Sequence, residues 1–121
     1  MNGMVGGYPL ARWESAKREA KSILWTRARQ GQMITYAELA RAMRQIQFEP
    51  HDHVFHMMLG QISEEEDADG RGLLSALVIL QDQGVPGDGF WTCAASCGRD
   101  VSDRLKCWIA EVESVFAKNK L

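Results

Sequence analysis

The three histidines of the chain lie within one short stretch, and imidazole nitrogen is the most common metal ligand in proteins. His53 and His56 are three residues apart, so on a helix they would share one face, with His51 or Asp52 reaching the same point from the helix start. A zinc site needs three or four such donors at about 2.0–2.3 Å from the metal. No second group of ligands follows at a suitable spacing. The sequence therefore favours an exposed polar face, with metal binding or contacts to another ligand as alternatives, and it predicts no cofactor.

An acidic segment follows, with five acids among the six positions of 64–69. Catalytic carboxylates are usually partly buried beside specific neighbours that tune their pKa, whereas a crowded acidic run is typical of a solvent-facing surface. The sequence predicts no catalytic residues here and favours a non-enzymatic protein. We expect a partner-binding patch formed by Glu64, Glu65, Glu66, Asp67 and Arg71.

The three cysteines, Cys93, Cys97 and Cys107, are an odd number and lie late in the chain. An odd count argues against a disulfide framework and favours reduced thiols of the cytoplasm, buried as small apolar side chains. The N-terminus lacks the basic start and apolar stretch of a signal peptide. No apolar run approaches the roughly 20 residues of a membrane span, so we expect a cytoplasmic protein without membrane contact.

Charge is distributed unevenly along the chain. Residues 1–44 hold eight Arg or Lys against three acids, whereas residues 45–100 hold two against ten. This distribution is not that of a uniformly basic nucleic-acid-binding protein. It is typical of a domain with one basic and one acidic face, which can orient a protein partner or a polyanion. The candidate nucleic-acid contacts in the basic part are Arg27, Arg29, Arg41 and Arg44.

The first half of the chain shows helical patterns. Apolar residues predict a first helix over 10–30, with Gly31 as its C-cap and a short strand at 33–34. Thr35 and Glu38 form a capping box that starts a second helix through about Arg44. A third helix is predicted from His51 or Asp52 to Gly60, followed by a second capping box over 63–66.

The pattern changes after residue 72. The short apolar run 73–80 predicts a buried strand, 81–89 a turn rich in glycine, and 90–95 a second strand, so the pair predicts a β hairpin. A final amphipathic helix starts at Asp100 or Ser102 and is apolar enough to form a homodimer. The expected fold is α+β and winged-helix-like, with three helices, a β-hairpin wing and a C-terminal helix. It occupies 9–121 as a single domain, after a flexible lead-in at 1–8.

Residues 33–42, Met-Ile-Thr-Tyr-Ala-Glu-Leu-Ala-Arg-Ala, resemble the strand-to-helix entry in the winged-helix domain of alkyltransferase-like DNA-repair proteins. The Pro-Cys-His-Arg active-site motif of that family is absent here. The resemblance therefore implies the winged-helix fold and DNA binding, but not alkyl transfer. Residues 70–76 together with 86–90 are also similar to small bacterial proteins of unknown role.

In a winged helix the third helix would be the recognition helix, with His53, His56 and Gln61 facing outward. Of these, only Gln61 is a residue type that commonly reads base edges, and the acids that follow would repel phosphates. The sequence therefore predicts a nucleic-acid-binding or regulatory protein that uses its basic N-terminal helices. The alternative is a protein-binding module, such as an inhibitor, immunity or antidefence factor, that uses the acidic segment 64–69 and exposed aromatic residues.

Overall fold

The computed structural model describes residues 3–120, which form an α+β fold. The helices are α1 (Leu10–Gln30), α2 (Tyr36–Ala42), α3 (His53–Ala68), α4 (Asp88–Ser96) and α5 (Arg104–Lys118). The strands are β1 (Met4–Val5), β2 (Tyr8–Pro9), β3 (Ile34–Thr35) and β4 (Val78–Ile79). No helix within residues 3–120 is both long and apolar enough to cross a membrane.

Helix α1 has the predicted bounds and the predicted buried stripe. Trp13, Ala16, Ala20 and Leu24 are fully buried along one face. Gly31 ends the helix in the left-handed conformation, with φ 67°, and its N–H bonds to the carbonyl of Ala28. Glycine adopts this conformation without the steric cost of a Cβ atom, so the predicted C-cap is confirmed.

The capping box at the start of α2 is also confirmed. The Glu38 N–H donates to the Thr35 hydroxyl at 3.1 Å, and the Thr35 N–H donates to the Glu38 carboxylate at 2.9 Å. Thr35 also belongs to β3, which pairs in parallel with β4 in the register Ile34–Val78. The helix ends at Ala42, two residues before the predicted end at Arg44.

The residues predicted as a flexible lead-in form a hairpin as far as the structure describes them. Strands β1 and β2 pair antiparallel across Gly6 and Gly7, which both have positive φ angles. The Tyr8 ring then packs 6.4 Å from the Trp13 ring and 6.1 Å from the Phe48 ring. This apolar packing holds the segment against α1. Residues 1 and 2, which the same prediction covered, lie outside the described residues.

The predicted β-hairpin wing is wrong. Residues 74–77 form a short 3₁₀ turn, only Val78 and Ile79 of this run are in a strand, and residues 90–95 belong to α4. Segment 72–78 is buried throughout and packs against α1, α3 and α5, so it forms the centre of the core.

Side chains replace the missing strand partner of this central segment. The Leu73 N–H donates to Glu111, the Ser75 N–H donates to Ser63, and the Trp108 indole donates to the carbonyl of Ala76. A buried backbone group needs a hydrogen-bond partner, and these partners come from α3 and α5 instead of a β ladder. A short apolar run is expected in a buried strand, but here it lies in an irregular segment surrounded by helices.

Helix α3 continues through Gly60, so the predicted stop at Gly60 and the second capping box over 63–66 are wrong. The residues Phe55, Met58, Leu59 and Ile62 are buried on both sides of this glycine. An interior glycine costs a helix about 1 kcal/mol relative to alanine, and the burial of this apolar face offsets that cost.

Candidate functional site

An open groove with a volume of about 820 Å³ runs between α3 and α4. Its size lies within the range of about 300–1,000 Å³ that is usual for small-molecule sites. All three histidines of the chain contribute to it, so we call it the histidine groove. Its full lining is His51, His53, His56, Met57, Gly60, Gln61, Glu64, Gly89, Thr92, Cys93 and Ser96.

His56 is the most firmly held of the histidines. Its Nε2 lies 2.9 Å from the Pro50 carbonyl oxygen, which can only accept, so Nε2 carries the proton. Its ring stacks on Tyr36 with 4.6 Å between centroids. The Tyr36 hydroxyl accepts the Gly87 N–H at 2.9 Å, and burial raises the pKa of this tyrosine. The His56 end of the groove is therefore tied to α2 and to the start of α4.

Gln61 is oriented from inside the core. The indole N–H of Trp13 donates to the Gln61 side-chain oxygen at 2.8 Å, and Trp13 is fully buried. This bond orients the side chain of Gln61 at the groove wall. The predicted outward row of His53, His56 and Gln61 thus faces a groove closed on one side by α4, which differs from the convex, free surface of a recognition helix. His53 itself is exposed at the groove edge.

The acidic segment is mostly engaged within the protein, so the prediction of a solvent-facing acidic patch is wrong for its central residue. Glu66 is fully buried and accepts hydrogen bonds from Arg71 and from the Trp25 indole. Glu65 bonds the ammonium groups of Lys17 at 2.8 Å and Lys21 at 2.7 Å. These contacts join α3 to α1.

The next acid in the segment joins α3 to α5. Arg99 donates to Asp67 at 2.7 Å and 2.9 Å, and to Glu111 at 2.9 Å. The hydrogen bonds from Arg99 hold the pKa of Asp67 below its usual range. Glu65, Glu66, Asp67 and Arg71 are thus structural, and of the predicted partner-binding residues only Glu64 has no ionic partner within residues 3–120.

Cys93 lies in α4 on the groove wall, so its predicted place at a strand end is wrong. Cys97, at the C-terminal cap of α4, is four residues away, a spacing at which two side chains share one side of a helix. The Cys93 thiol donates to the Gly60 carbonyl at 3.8 Å. Burial, together with the neighbouring Cys97 thiol, raises the pKa of Cys93 to about 12. A thiol this weakly acidic is not a nucleophile at neutral pH.

The metal alternative finds no support in the positions of the histidines. His51, His53 and His56 line one groove, but within residues 3–120 no three His, Cys, Asp or Glu side chains are arranged to hold a metal ion. Their shared feature is the open space that they face. The groove can therefore exclude part of the solvent around a small molecule and offer it hydrogen bonds.

The predicted basic contacts lie on α1, on α2 and in the chain just after α2. Arg27 and Arg41 both lie near Glu38 and help to lower its pKa, after the larger effect of the Thr35 hydrogen bonds. The backbone N–H of Arg44, two residues after the end of α2, donates to Glu19 at 2.9 Å and holds the chain there against the middle of α1. We call the four predicted contacts the arginine surface: Arg27, Arg29, Arg41 and Arg44.

The structure separates the predicted nucleic-acid contacts into two places, because no residue of the arginine surface lines the histidine groove. The α4 wall of the groove, with Gly89, Thr92, Cys93 and Ser96, was missed by the sequence interpretation, which placed 90–95 in a strand. The available signal was Pro86-Gly87 followed by apolar residues at helical spacing, since Phe90, Trp91 and Ala94 are all buried.

Comparisons of this chain with protein family models, with curated proteins and with solved structures gave no significant match.

Proposed function

We propose that this protein binds nucleic acid through the arginine surface. The observation that carries the proposal is that none of these four arginines forms an ion pair within residues 3–120. By contrast, Lys17, Lys21, Arg71 and Arg99 each pair with a carboxylate. Arg12 and Arg18 are also exposed on α1 and have no ion pair in the described part of the chain, so α1 and the residues from α2 to Arg44 carry unpaired positive charge that attracts a polyanion.

The exposure and the contacts of the four arginines support this proposal. Arg29, Arg41 and Arg44 are exposed, and Arg41 borders a hollow of about 520 Å³ between α2 and residues 47–50. Arg27 is half-buried and bonds the Met33 carbonyl at 2.7 Å, which orders it at the end of α1. Ordered guanidinium groups contact phosphates with little loss of side-chain entropy.

The proposal needs only the helical half of a winged helix. Residues 10–68 follow the order helix, strand, helix, helix that the apolar patterns of the sequence predict, and residues 33–42 within them resemble the strand-to-helix entry of alkyltransferase-like proteins. The connection 43–52 is longer than the turn of about three or four residues in a helix-turn-helix unit. We therefore assign α1 and α2 to the phosphate backbone and expect little sequence specificity.

Salt-dependent binding of a fluorescent DNA duplex, followed by anisotropy, tests the proposal. We expect binding at low salt that weakens linearly in a double-logarithmic plot, with a slope of about 0.9 per phosphate contact. Arg41→Ala and Arg44→Ala should each reduce the slope by about one unit. Arg104→Ala is the matched control, since Arg104 is exposed on α5 and pairs with Asp88. No binding at low salt, or a double variant that binds like the original protein, overturns the proposal.

A protein-binding role is the second candidate function. The residues of α5 suit it as an interface better than the acidic segment does. Leu105 is 56% exposed and Ile109 is 47% exposed, four residues apart on this helix. Lys106 and Glu113 lie two turns apart beside them, so an antiparallel two-fold contact between two copies would place each lysine opposite a glutamate. This arrangement supports the homodimer predicted through the C-terminal helix.

Sedimentation of charge-exchanged variants tests the second candidate. Lys106→Glu and Glu113→Lys should each weaken self-association, and the variant with both changes should restore it, because the pairs are rebuilt with opposite polarity. A protein that is monomeric at every concentration, or a double variant no better than the single ones, removes this candidate.

A further inference from the structure

Glu64 differs from the acids that follow it along α3. Glu65, Glu66 and Asp67 are each bound by a lysine or arginine, whereas Glu64 has no ionic partner within residues 3–120. Among the described residues that line the histidine groove, Glu64 is also the one carboxylate. The carboxylate without a partner is therefore the one that faces an open space large enough for a ligand.

The rest of the groove lining offers hydrogen-bond acceptors to a ligand. Neutral imidazoles present one lone pair each, and the Thr92 and Ser96 hydroxyls can also accept. No lysine or arginine is among the described residues that line the groove. An anionic ligand would meet one carboxylate and no permanent cation here. A cation that carries several N–H donors would meet charge and acceptors together.

Two glycines keep the groove deep without any packing requirement. Gly60 lies in the middle of α3 and Gly89 near the start of α4, and both line the groove. A Cβ atom built at either position would meet nothing within 4 Å, so the protein would accept alanine at both. An interior glycine weakens a helix relative to alanine. Glycine at position 60 therefore costs helix stability, and what it provides in return is additional space in the groove.

We infer that the histidine groove binds a small organic cation, an amine or a guanidine, with its charge at Glu64 and its N–H groups on the imidazoles. This site is independent of the proposed nucleic-acid surface. Its ligand is recognised by chemistry that the arginine surface lacks, and the two sites share no residue. The same N–H chemistry occurs in arginine side chains of peptides. We commit to the free molecule, because the groove is bordered by the side chains of two helices and has the volume of a small-molecule site.

Agmatine, which carries a guanidinium and an ammonium group, is the probe. Titration into ¹⁵N-labelled protein should give saturable amide shift changes in residues 51–64 and 89–96. Glu64→Gln should weaken the affinity at least about fivefold, since it removes the charge and keeps the shape. Gly60→Ala should weaken it as well while raising the melting temperature, because alanine fills groove space and favours the helix. Asp82→Asn, an exposed carboxylate in the turn after β4 that does not line the groove, is the matched control.

Each outcome of this titration decides the inference. Shift changes confined to the groove and reduced by Glu64→Gln support it. Agmatine that leaves the groove unchanged, or that binds the Glu64→Gln variant equally well, overturns it. A blocked peptide with one arginine is titrated in parallel, and binding of that peptide without binding of agmatine overturns the choice of a free cation. The DNA affinity of the Glu64→Gln variant is measured as well and should be unchanged. Loss of agmatine binding without loss of DNA binding then separates the groove from the arginine surface.

Discussion

Arg71 donates two hydrogen bonds of 2.8 Å to the two carboxylate oxygens of Glu66, whose side chain is only 1% exposed. The Trp25 indole donates to the same carboxylate from α1, and the Arg71 guanidinium lies 5.5 Å from the centre of the Trp25 ring. A two-pronged arginine–carboxylate pair is among the stronger polar contacts in proteins. Through the Trp25 indole, Glu66 ties α1 to the end of α3.

Removal of the Glu66 carboxylate is expected to destabilise the fold strongly. Glu66→Ala leaves the Trp25 indole without its acceptor, leaves the Arg71 guanidinium with Asp69 alone, and opens a cavity in the core. We expect a loss of about 3 kcal/mol in the free energy of unfolding, at the lower end for broken buried pairs because Arg71 keeps partial solvent contact. Urea denaturation measures it. Glu64→Ala, on the same helix but exposed, should change stability by less than about 0.5 kcal/mol. Equal effects of the two substitutions would contradict this account of the segment.

Stability should fall in acid because of the same carboxylates. Burial raises the pKa of Glu66, but the hydrogen bonds from Arg71 and Trp25 outweigh it, so the pKa lies below its usual value. Glu65, bonded to Lys17 and Lys21, shows the same balance. A carboxyl with a lowered folded pKa binds fewer protons folded than unfolded. Its stabilisation is thus full above the unfolded pKa of about 4.3 and is lost as the pH falls further.

Denaturation between pH 7 and pH 3 measures this dependence. The free energy of unfolding should stay nearly level down to about pH 5 and then decline, with a shallower decline for Glu66→Gln, which removes one of the titrating groups. A decline that begins near neutral pH would point to groups other than these carboxylates.

The parts of the fold that local chemistry dictates were predictable from sequence. The stripe of Trp13, Ala16, Ala20 and Leu24 gave α1, and Thr35 with Glu38 gave the start of α2, because both signals act within a few residues. Segment 73–77 was not predictable in this way. Its backbone partners, Ser63 and Glu111, lie 12 and 38 residues away in sequence, so no local pattern reveals that side chains replace a strand.

One wall of the candidate site was predictable from local sequence, and the opposite wall was not. Three histidines close in sequence predicted one polar face, and the structure places all three along one groove. The opposite wall depended on α4, and Phe-Trp-Thr-Cys at 90–93 is rich in residues that favour strands. The run of acids at 64–67 likewise predicted a solvent-facing patch, because its partners are far away in the sequence. Glu65 pairs with Lys17, and Asp67 pairs with Arg99.

Two glycines with nearly equal φ angles should respond differently to alanine. Gly70 and Gly72 have φ angles of +82° and +83°, so alanine is strained at both by about 1–2 kcal/mol. A Cβ at Gly72 would also lie 3.1 Å from Val115 and 3.2 Å from Glu111, whereas at Gly70 it would meet nothing within 4 Å. Gly72→Ala should therefore lose more stability than Gly70→Ala, by about a further 1–3 kcal/mol for the overpacked contact. Thermal or urea unfolding of both variants gives the comparison, and equal losses would show that the contact with α5 relaxes freely.

Cys93 should resist alkylation in the folded protein although it lies on the wall of an open groove. Burial and the Cys97 thiol raise its pKa to about 12, compared with about 8.5 for a free thiol. At pH 7.5 the thiolate is then so scarce that iodoacetamide should modify Cys93 at least about 100-fold more slowly than a free cysteine, even after allowing for the greater nucleophilicity of a more basic thiolate. Peptide mass spectrometry after timed quenching follows this cysteine separately from Cys97 and Cys107. Unfolding in urea is the internal control, because it removes the burial and should restore the ordinary rate. Rapid labelling of Cys93 in the folded state would mean that the thiol is neither desolvated nor bonded to Gly60, and the groove wall would then differ from the one described.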